Sequence, residues 1–241
     1  MRLVLCLPTY NERANLEPLA RRLGEVLAEA SLEARVLVID DSSPDGTGEL
    51  ADRLSQTLSY LSVLHRPKKE GLGPAYIAGF RWALEQGAEL VLQMDCDFSH
   101  DPADIPRLVE AAEEADLALG SRYVEGGGTV NWGRSRQAIS RFGSIYARAL
   151  LGVSVRDLTG GFKCYRREVL ESIPLERVRT KGYAFQIETT YRALAAGFRV
   201  VEVPIVFAER RAGGSKMSRR IVFEAMVAVP ELRLRAALNR L

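Results

Sequence analysis

Asp95 and Asp97 close the apolar run Val91-Leu92-Gln93-Met94, with Cys96 between them. On an extended backbone, side chains i and i+2 leave the same face, so the two carboxylates converge just past a strand end. Carboxylates held that close repel each other and require a compensating charge. A hard divalent cation with oxygen ligands supplies it, and Mg²⁺ or Mn²⁺ usually keeps coordination positions open for substrate phosphates. The competing reading of an isolated Asp-x-Asp is a solvated acidic turn.

Two other polar segments have the same placement. Pro8-Thr9-Tyr10-Asn11-Glu12 offers backbone donors, an aromatic ring and a carboxylate. Asp40-Asp41-Ser42-Ser43-Pro44-Asp45-Gly46 offers adjacent acids, which at a strand end accept hydrogen bonds from ribose hydroxyls or base N–H groups. A ring over a base, an acid on base or ribose, and a metal on a diphosphate would together make a nucleotide-diphosphate site. Asp40 and Asp41 also fit a capped turn in which Asp45-Gly46 starts the next helix. The chain contains neither GxGxxG nor GxxxxGK[ST], so neither a dinucleotide fold nor a P-loop is supported. Arg122, and Arg136 in a basic stretch with Arg134 and Arg141, add guanidinium forks suited to a second phosphate, with Arg134 and Arg141 read as surface charge. His65 and His100 lie near these loops without partners at triad or zinc spacing and are read as local hydrogen-bonding groups. Trp82 fits a helix core. Trp132 fits either lipid contact or loop packing.

Hydrophobic spacing predicts the elements that position these groups. Strands are expected at 3–7, 36–39, 60–64, 90–94 and 117–119. Helices are expected at 13–30, 47–58, 74–86 and 103–115. Short buried strands alternating with helices predict an α/β fold, a mostly parallel twisted sheet with helices on both faces. The polar segments then fall at the carboxyl ends of the strands, where such sheets bind ligands. Beyond residue 120 the pattern loosens. A mobile glycine-rich loop is expected at 125–129, a basic helix at 134–151, a strand at 162–165, a helix at 184–196 and a strand pair at 200–203 and 205–207. A flexible basic loop is expected at 210–216, then a helical segment over 218–241 broken at Pro230. No repeat or linker is evident, which predicts one domain over 1–216 with a C-terminal basic amphipathic segment over 217–241. That segment suits either a membrane interface or packing on the core.

With 241 residues, 47% apolar and 27% charged, the chain can bury a sizeable core. A net charge of +2 argues against nucleic-acid binding through overall charge. Cys6, Cys96 and Cys164 show no zinc or disulfide spacing, which points to a reducing cytoplasm. The first residues lead into a strand rather than a signal peptide, and no run reaches the roughly 18–20 apolar residues of a membrane span. A soluble or peripheral protein is expected.

Taken in order, Pro8-Thr9-Tyr10-Asn11-Glu12, Ile39-Asp40-Asp41-Ser42-Ser43-Pro44-Asp45-Gly46-Thr47, Met94-Asp95-Cys96-Asp97-Phe98-Ser99-His100, Gly120-Ser121-Arg122-Tyr123 and Asp157-Leu158-Thr159-Gly160-Gly161-Phe162 resemble the dolichyl/polyprenyl-phosphate mannosyltransferases of glycosyltransferase family 2. The resemblance runs from about residue 3 to 216. It implies a GT-A fold and inverting transfer of mannose from GDP-mannose to a polyprenyl (dolichyl) monophosphate with Mg²⁺ or Mn²⁺. It matches Pro8, Tyr10, Glu12, Ile39, Asp41, Cys96 and Phe98 to nucleotide-sugar positions, and Asp95 and Asp97 to the metal pair. Ser99 stands where some relatives have a Gln as third metal ligand. Arg122, Arg136 and Ser140 match acceptor-phosphate positions, and Arg210 and Lys216 match basic groups of a loop that closes over the donor. It further implies a peripheral place at the cytoplasmic face of a membrane, with direct docking or a small membrane partner subunit. The alternatives are another sugar, such as glucose from a UDP-sugar, on the same scaffold, or a non-catalytic nucleotide-sugar-binding module.

Overall fold

The computed structural model describes residues 2–178, 180, 182–209 and 219–238. Their main sheet runs in the order β3-β2-β1-β4-β7-β5-β8. Its strands are β1 (Leu3–Thr9), β2 (Ala34–Asp40), β3 (Leu61–His65), β4 (Leu90–Gln93), β5 (Leu117–Ser121), β7 (Lys163–Arg166) and β8 (Val200–Pro204). Strands β3, β2, β1 and β4 pair in parallel, as do β5 and β8, whereas β7 runs antiparallel between β4 and β5. The fold is the mostly parallel GT-A arrangement expected.

Alternation along the strands fills both faces. Leu3, Leu5, Leu7, Val36, Val38, Leu90 and Leu92 join one core cluster with Leu16, Leu19 and Leu23 of α1 (Arg13–Glu29) and Leu108 and Val109 of α4 (Ile105–Glu114). Val4, Cys6, Leu37, Ile39 and Val91 point the other way, onto Ala75, Tyr76, Phe80 and Ala83 of α3 (Leu72–Glu85) and Phe185 of α7 (Gly182–Ala195). Period-two burial on both faces places helices on both sides. Trp82 packs at the margin of this second cluster. Helix α2 (Thr47–Thr57) follows β2, and α6 (Arg167–Ser172), which periodicity did not suggest, follows β7 directly.

Three expectations change. Gly128–Thr129 of the glycine-rich stretch form a short strand, β6, parallel to β9 (Val206–Phe207). The expected pair at 200–207 therefore divides between two sheets, because Pro204 ends β8 and β9 turns to β6. Pro230 does not break the last helix: α8 (Arg219–Ala237) continues through it. Val229 and Leu232 are buried against α5 (Arg134–Leu151) and α7, and this packing outweighs the lost backbone hydrogen bond. The outer side of α8 leaves Met226, Val227, Leu234 and Leu238 exposed.

Candidate active site

A cleft of about 440 Å³ opens at the carboxyl ends of β1, β2 and β4. Of the expected site residues, Pro8, Tyr10, Glu12, Asp41, Asp95, Cys96, Asp97, Arg122 and Arg136 line it. Ile39, Phe98, Ser99 and Ser140 do not. Ile39 has no exposed surface and packs beneath α3, and its carbonyl accepts from Thr9 Oγ1 at 3.3 Å. Ser140 accepts a hydrogen bond from Tyr123 Oη at 2.7 Å. Arg210 and Lys216 lie outside the described residues.

The loops after β1, β2 and β4 each hold a non-glycine residue in the left-handed region: Asn11, Ser42 and Phe98, at φ of 58°, 56° and 60°. Such backbone costs of order 1–3 kcal/mol and persists where its surroundings enforce it. At Phe98 the enforcing contact is a carboxylate turn, since Asp97 Oδ1 accepts from Ser99 N–H at 3.0 Å. Asp95 Oδ1 accepts from the buried Tyr76 hydroxyl at 3.2 Å, and the Asp95 amide donates to His100 Nδ1 at 3.3 Å. The dyad is thus held from three sides.

The donor set fits a divalent ion. Both carboxylates face one cleft, and the buried Ser99 hydroxyl has no hydrogen-bond partner, as an oxygen reserved for a ligand would not. Among the described residues no three His, Cys, Asp or Glu gather into a metal cluster. An ion here would therefore rely on substrate oxygens, the usual habit of Mg²⁺ and Mn²⁺.

The β2 loop separates its two acids. Asp40 is structural: its carboxylate accepts from Ser43 N–H, Ser43 Oγ and Thr9 Oγ1. Asp41 reaches the cleft and pairs with Arg66, which in turn holds Glu70 at 2.8 Å. Burial pushes the Asp41 carboxyl up and Arg66 only partly restores it. Lys69 lies 3.6 Å over the Tyr10 ring, a cationic clamp on the cleft wall.

At the other pole Arg122 is almost completely buried and already committed. Its Nε and Nη2 donate to Asp157 at 2.7 and 2.6 Å, and Nη2 also donates to Thr159. Burial pushes the Asp157 carboxyl up, but the Arg122 guanidinium overrides it and holds it below the usual carboxylate range. Arg136 stacks 4.0 Å over buried Trp132, which settles Trp132 as loop packing, and its Nη1 is 3.4 Å from Glu209. Residue types alone assign Asp157-Leu158-Thr159-Gly160-Gly161 no role. An acid inside an apolar, glycine-flanked stretch was the signal available. Arg66, Lys69 and Gln186 carried no local signal.

His65 bonds Asp52 at 2.8 Å. His100 is buried on the cleft wall, and burial, reinforced by nearby Arg122, lowers it from 6.5 to about 4. The unfolded chain takes up this proton first, so the contribution of neutral His100 is complete above pH 6.5 and declines as pH falls toward about 4. Urea unfolding of the ligand-free protein should show about 3 kcal/mol of stability lost over that interval, absent in His100→Gln.

The comparisons follow the same geometry. The glycosyl transferase family 2 profile matches residues 4–173. Undecaprenyl-phosphate mannosyltransferase of Micrococcus luteus is 50% identical over 229 residues, covering 95% of this chain and 93% of that protein. Polyprenol monophosphomannose synthase of Mycolicibacterium smegmatis is 48% identical, covering 99% and 89%. Among solved structures, mannosyl-3-phosphoglycerate synthase of Rubrobacter xylanophilus superposes with a TM-score of 0.68 at 18% identity, covering 100% of this chain and 75% of that one. Glucosyl-3-phosphoglycerate synthase of Mycobacterium tuberculosis, bound to Mn²⁺, UDP-glucose and phosphoglyceric acid, gives 0.65 at 20% identity, covering 95% and 79%. At those identities the solved structures speak for the fold alone. With the family profile spanning most of its length and two relatives near half identity over nearly all of it, the chain belongs to glycosyl transferase family 2, among the polyprenyl-phosphate mannosyltransferases.

Proposed function

We propose that this glycosyltransferase moves mannose from GDP-mannose to a polyprenyl (dolichyl) monophosphate, with inversion to a β-linked product. One observation carries the reading: the acidic dyad, the Tyr10–Lys69 clamp with Asp41, and the Arg122–Arg136 pole all line a single cleft. The two full-length relatives named for polyprenyl-phosphate mannosyl transfer support it.

Asp95 and Asp97, with Ser99, would hold Mg²⁺ or Mn²⁺, which when bound neutralises charge growing on the departing diphosphate. Tyr10, Pro8, Glu12 and Asp41 receive the nucleoside. Arg210 and Lys216 are proposed to close over the diphosphate. A phosphate monoester has its second pKa near 6 and is mostly dianionic at neutral pH, so it attacks without a general base. Arg136 and the Asp157-held Arg122 orient it, with Ser140 beside them. Attack opposite the diphosphate gives inversion.

The lipid acceptor implies peripheral docking. Helix α5 carries Arg136 into the cleft and exposes Ile139, Phe142 and Ile145 beside Arg134 and Arg141. With the outer side of α8, this is an apolar face ringed by bases, suited to an anionic bilayer surface. Among the described residues no helix is long and apolar enough to cross a membrane. The unpaired cysteines suit the cytoplasmic face, and a small membrane subunit would be an additional anchor. Phe142→Asp with Ile145→Asp should weaken flotation with phosphatidylglycerol vesicles by roughly tenfold or more while leaving GDP affinity unchanged.

The deciding experiment offers purified protein GDP-mannose and UDP-glucose with a polyprenyl phosphate, with and without divalent ion, and identifies products by mass. Mannosyl-phosphoryl lipid formed only with the ion supports the reading. Exclusive use of UDP-glucose, or nucleotide-sugar binding without any transfer, overturns it.

A further inference from the structure

We infer that Gln186 reads a hydroxyl of the donor sugar through its side-chain amide, which a buried hydrogen-bond network behind the cleft holds in place. Gln186 lies on α7 and lines the cleft, yet only 2% of its surface is exposed. Its Oε1 is occupied, accepting from Gln93 Nε2 at 2.6 Å. Gln93 is fully enclosed at the end of β4, and its own Oε1 accepts from the Tyr165 hydroxyl at 3.3 Å. Behind Tyr165, Lys163 Nζ donates to Thr189 Oγ1 at 3.2 Å and to the Gln186 carbonyl at 2.8 Å. Thr189 Oγ1 donates to the same carbonyl at 3.3 Å, and the Tyr165 hydroxyl lies within hydrogen-bond distance of Thr189 Oγ1, at 3.2 Å, as well as of Gln93 Oε1. With Gln93 Nε2 donating to Gln186 Oε1, the Gln186 amide presents its N–H to the cleft.

That Nε2 has no hydrogen-bond partner among the described residues and rests against Gly161, where an added Cβ would meet it at 3.3 Å. Gly161 also lines the cleft, and the same Cβ position is 3.7 Å from the His100 ring. A donor on the cleft wall can be taken up by an oxygen of the ligand that fills the cleft. The place narrows the ligand. His100 binds the Asp95 amide on one side, and Thr159 binds Arg122 on the other. The group between a diphosphate at the dyad and an acceptor phosphate at Arg122 is the sugar being transferred. This inference rests on the nucleotide-sugar reading of the cleft. Gln93 is then a positioning residue, and Gln186 determines specificity.

The test pairs protein variants with donor analogues. GDP-mannose and its 2-, 3-, 4- and 6-deoxy derivatives are compared by kcat/KM in the wild type, Gln186→Leu, Gln186→Glu and Gln93→Glu. Gln186→Glu keeps the acceptor that Gln93 needs but replaces the N–H. Gln93→Glu never touches sugar and turns the Gln186 oxygen toward the cleft. Each variant should lose roughly 10- to 100-fold with GDP-mannose, and the penalty against one deoxy analogue should vanish while GDP affinity stays within about threefold. Unchanged penalties for all four analogues in Gln186→Leu and Gln186→Glu, or an equal fall in GDP affinity, overturn the assignment. If the wild type instead uses another nucleotide sugar, the GDP-mannose reading fails separately, and the deoxy series of that donor tests Gln186 in the same way.

Discussion

Asp97→Ala is expected to slow transfer by on the order of 10²–10³ or more at saturating Mn²⁺, the scale on which a preorganised charge-stabilising group acts. Asp97 is 2% exposed, faces the cleft, and closes the turn that keeps Phe98 left-handed. The substitution removes an anionic oxygen from the proposed ion site and relaxes the loop carrying Cys96 and Phe98. Asp97→Asn separates these effects, because an amide oxygen still closes the turn but brings no charge. Both variants should retain the wild-type unfolding midpoint to within a few degrees. The measurement is single-turnover mannosyl transfer across a Mn²⁺ titration, and an unchanged rate in Asp97→Ala would remove the dyad from the mechanism.

Asp157→Ala should be the most destabilising of the site substitutions, by roughly 3–5 kcal/mol, because it strips the carboxylate from a buried guanidinium. Asp157 takes two side-chain hydrogen bonds and the backbone N–H of Arg122, and its own backbone is held by Glu202. For a chain of this size that is a fall of roughly 10 °C in Tm by calorimetry. The pH dependence has a definite sign. Asp157 titrates below the ordinary carboxylate value, so its contribution is complete above that value and disappears only as pH falls through the depressed one. Transfer should fall as well, since Arg122 loses its orientation while GDP affinity remains. Arg122→Met combined with Asp157→Leu should recover most of the stability and none of the activity. A double variant as unstable as Asp157→Ala would show that the loop depends on more than this pair.

Much of the fold was legible because local physics writes it. Apolar alternation marked the first five strands to within a few residues, and the helical stripes between them required a sheet covered on both faces. Period carries no direction, so the antiparallel insertion of β7 could not be read. Nor could the continuation of α8 through Pro230, which depends on Val229 and Leu232 finding a buried surface. In the site, Asp95 and Asp97 were legible from i, i+2 geometry at a strand end, whereas the roles of Asp40 and Asp41 separated only in three dimensions.

By itself the sequence determined an alternating strand–helix chain whose acids, Tyr10 and polar loops gather at one edge of a sheet, because strand period and helix spacing are local properties. Tertiary structure decided which of those groups face the cleft. It committed Arg122 to Asp157, set Lys69 over Tyr10, and oriented Gln186 through residues as distant in sequence as Gln93 and Lys163. Those choices are hydrogen-bond and packing agreements between segments far apart in the chain, and no local window of residues contains both partners.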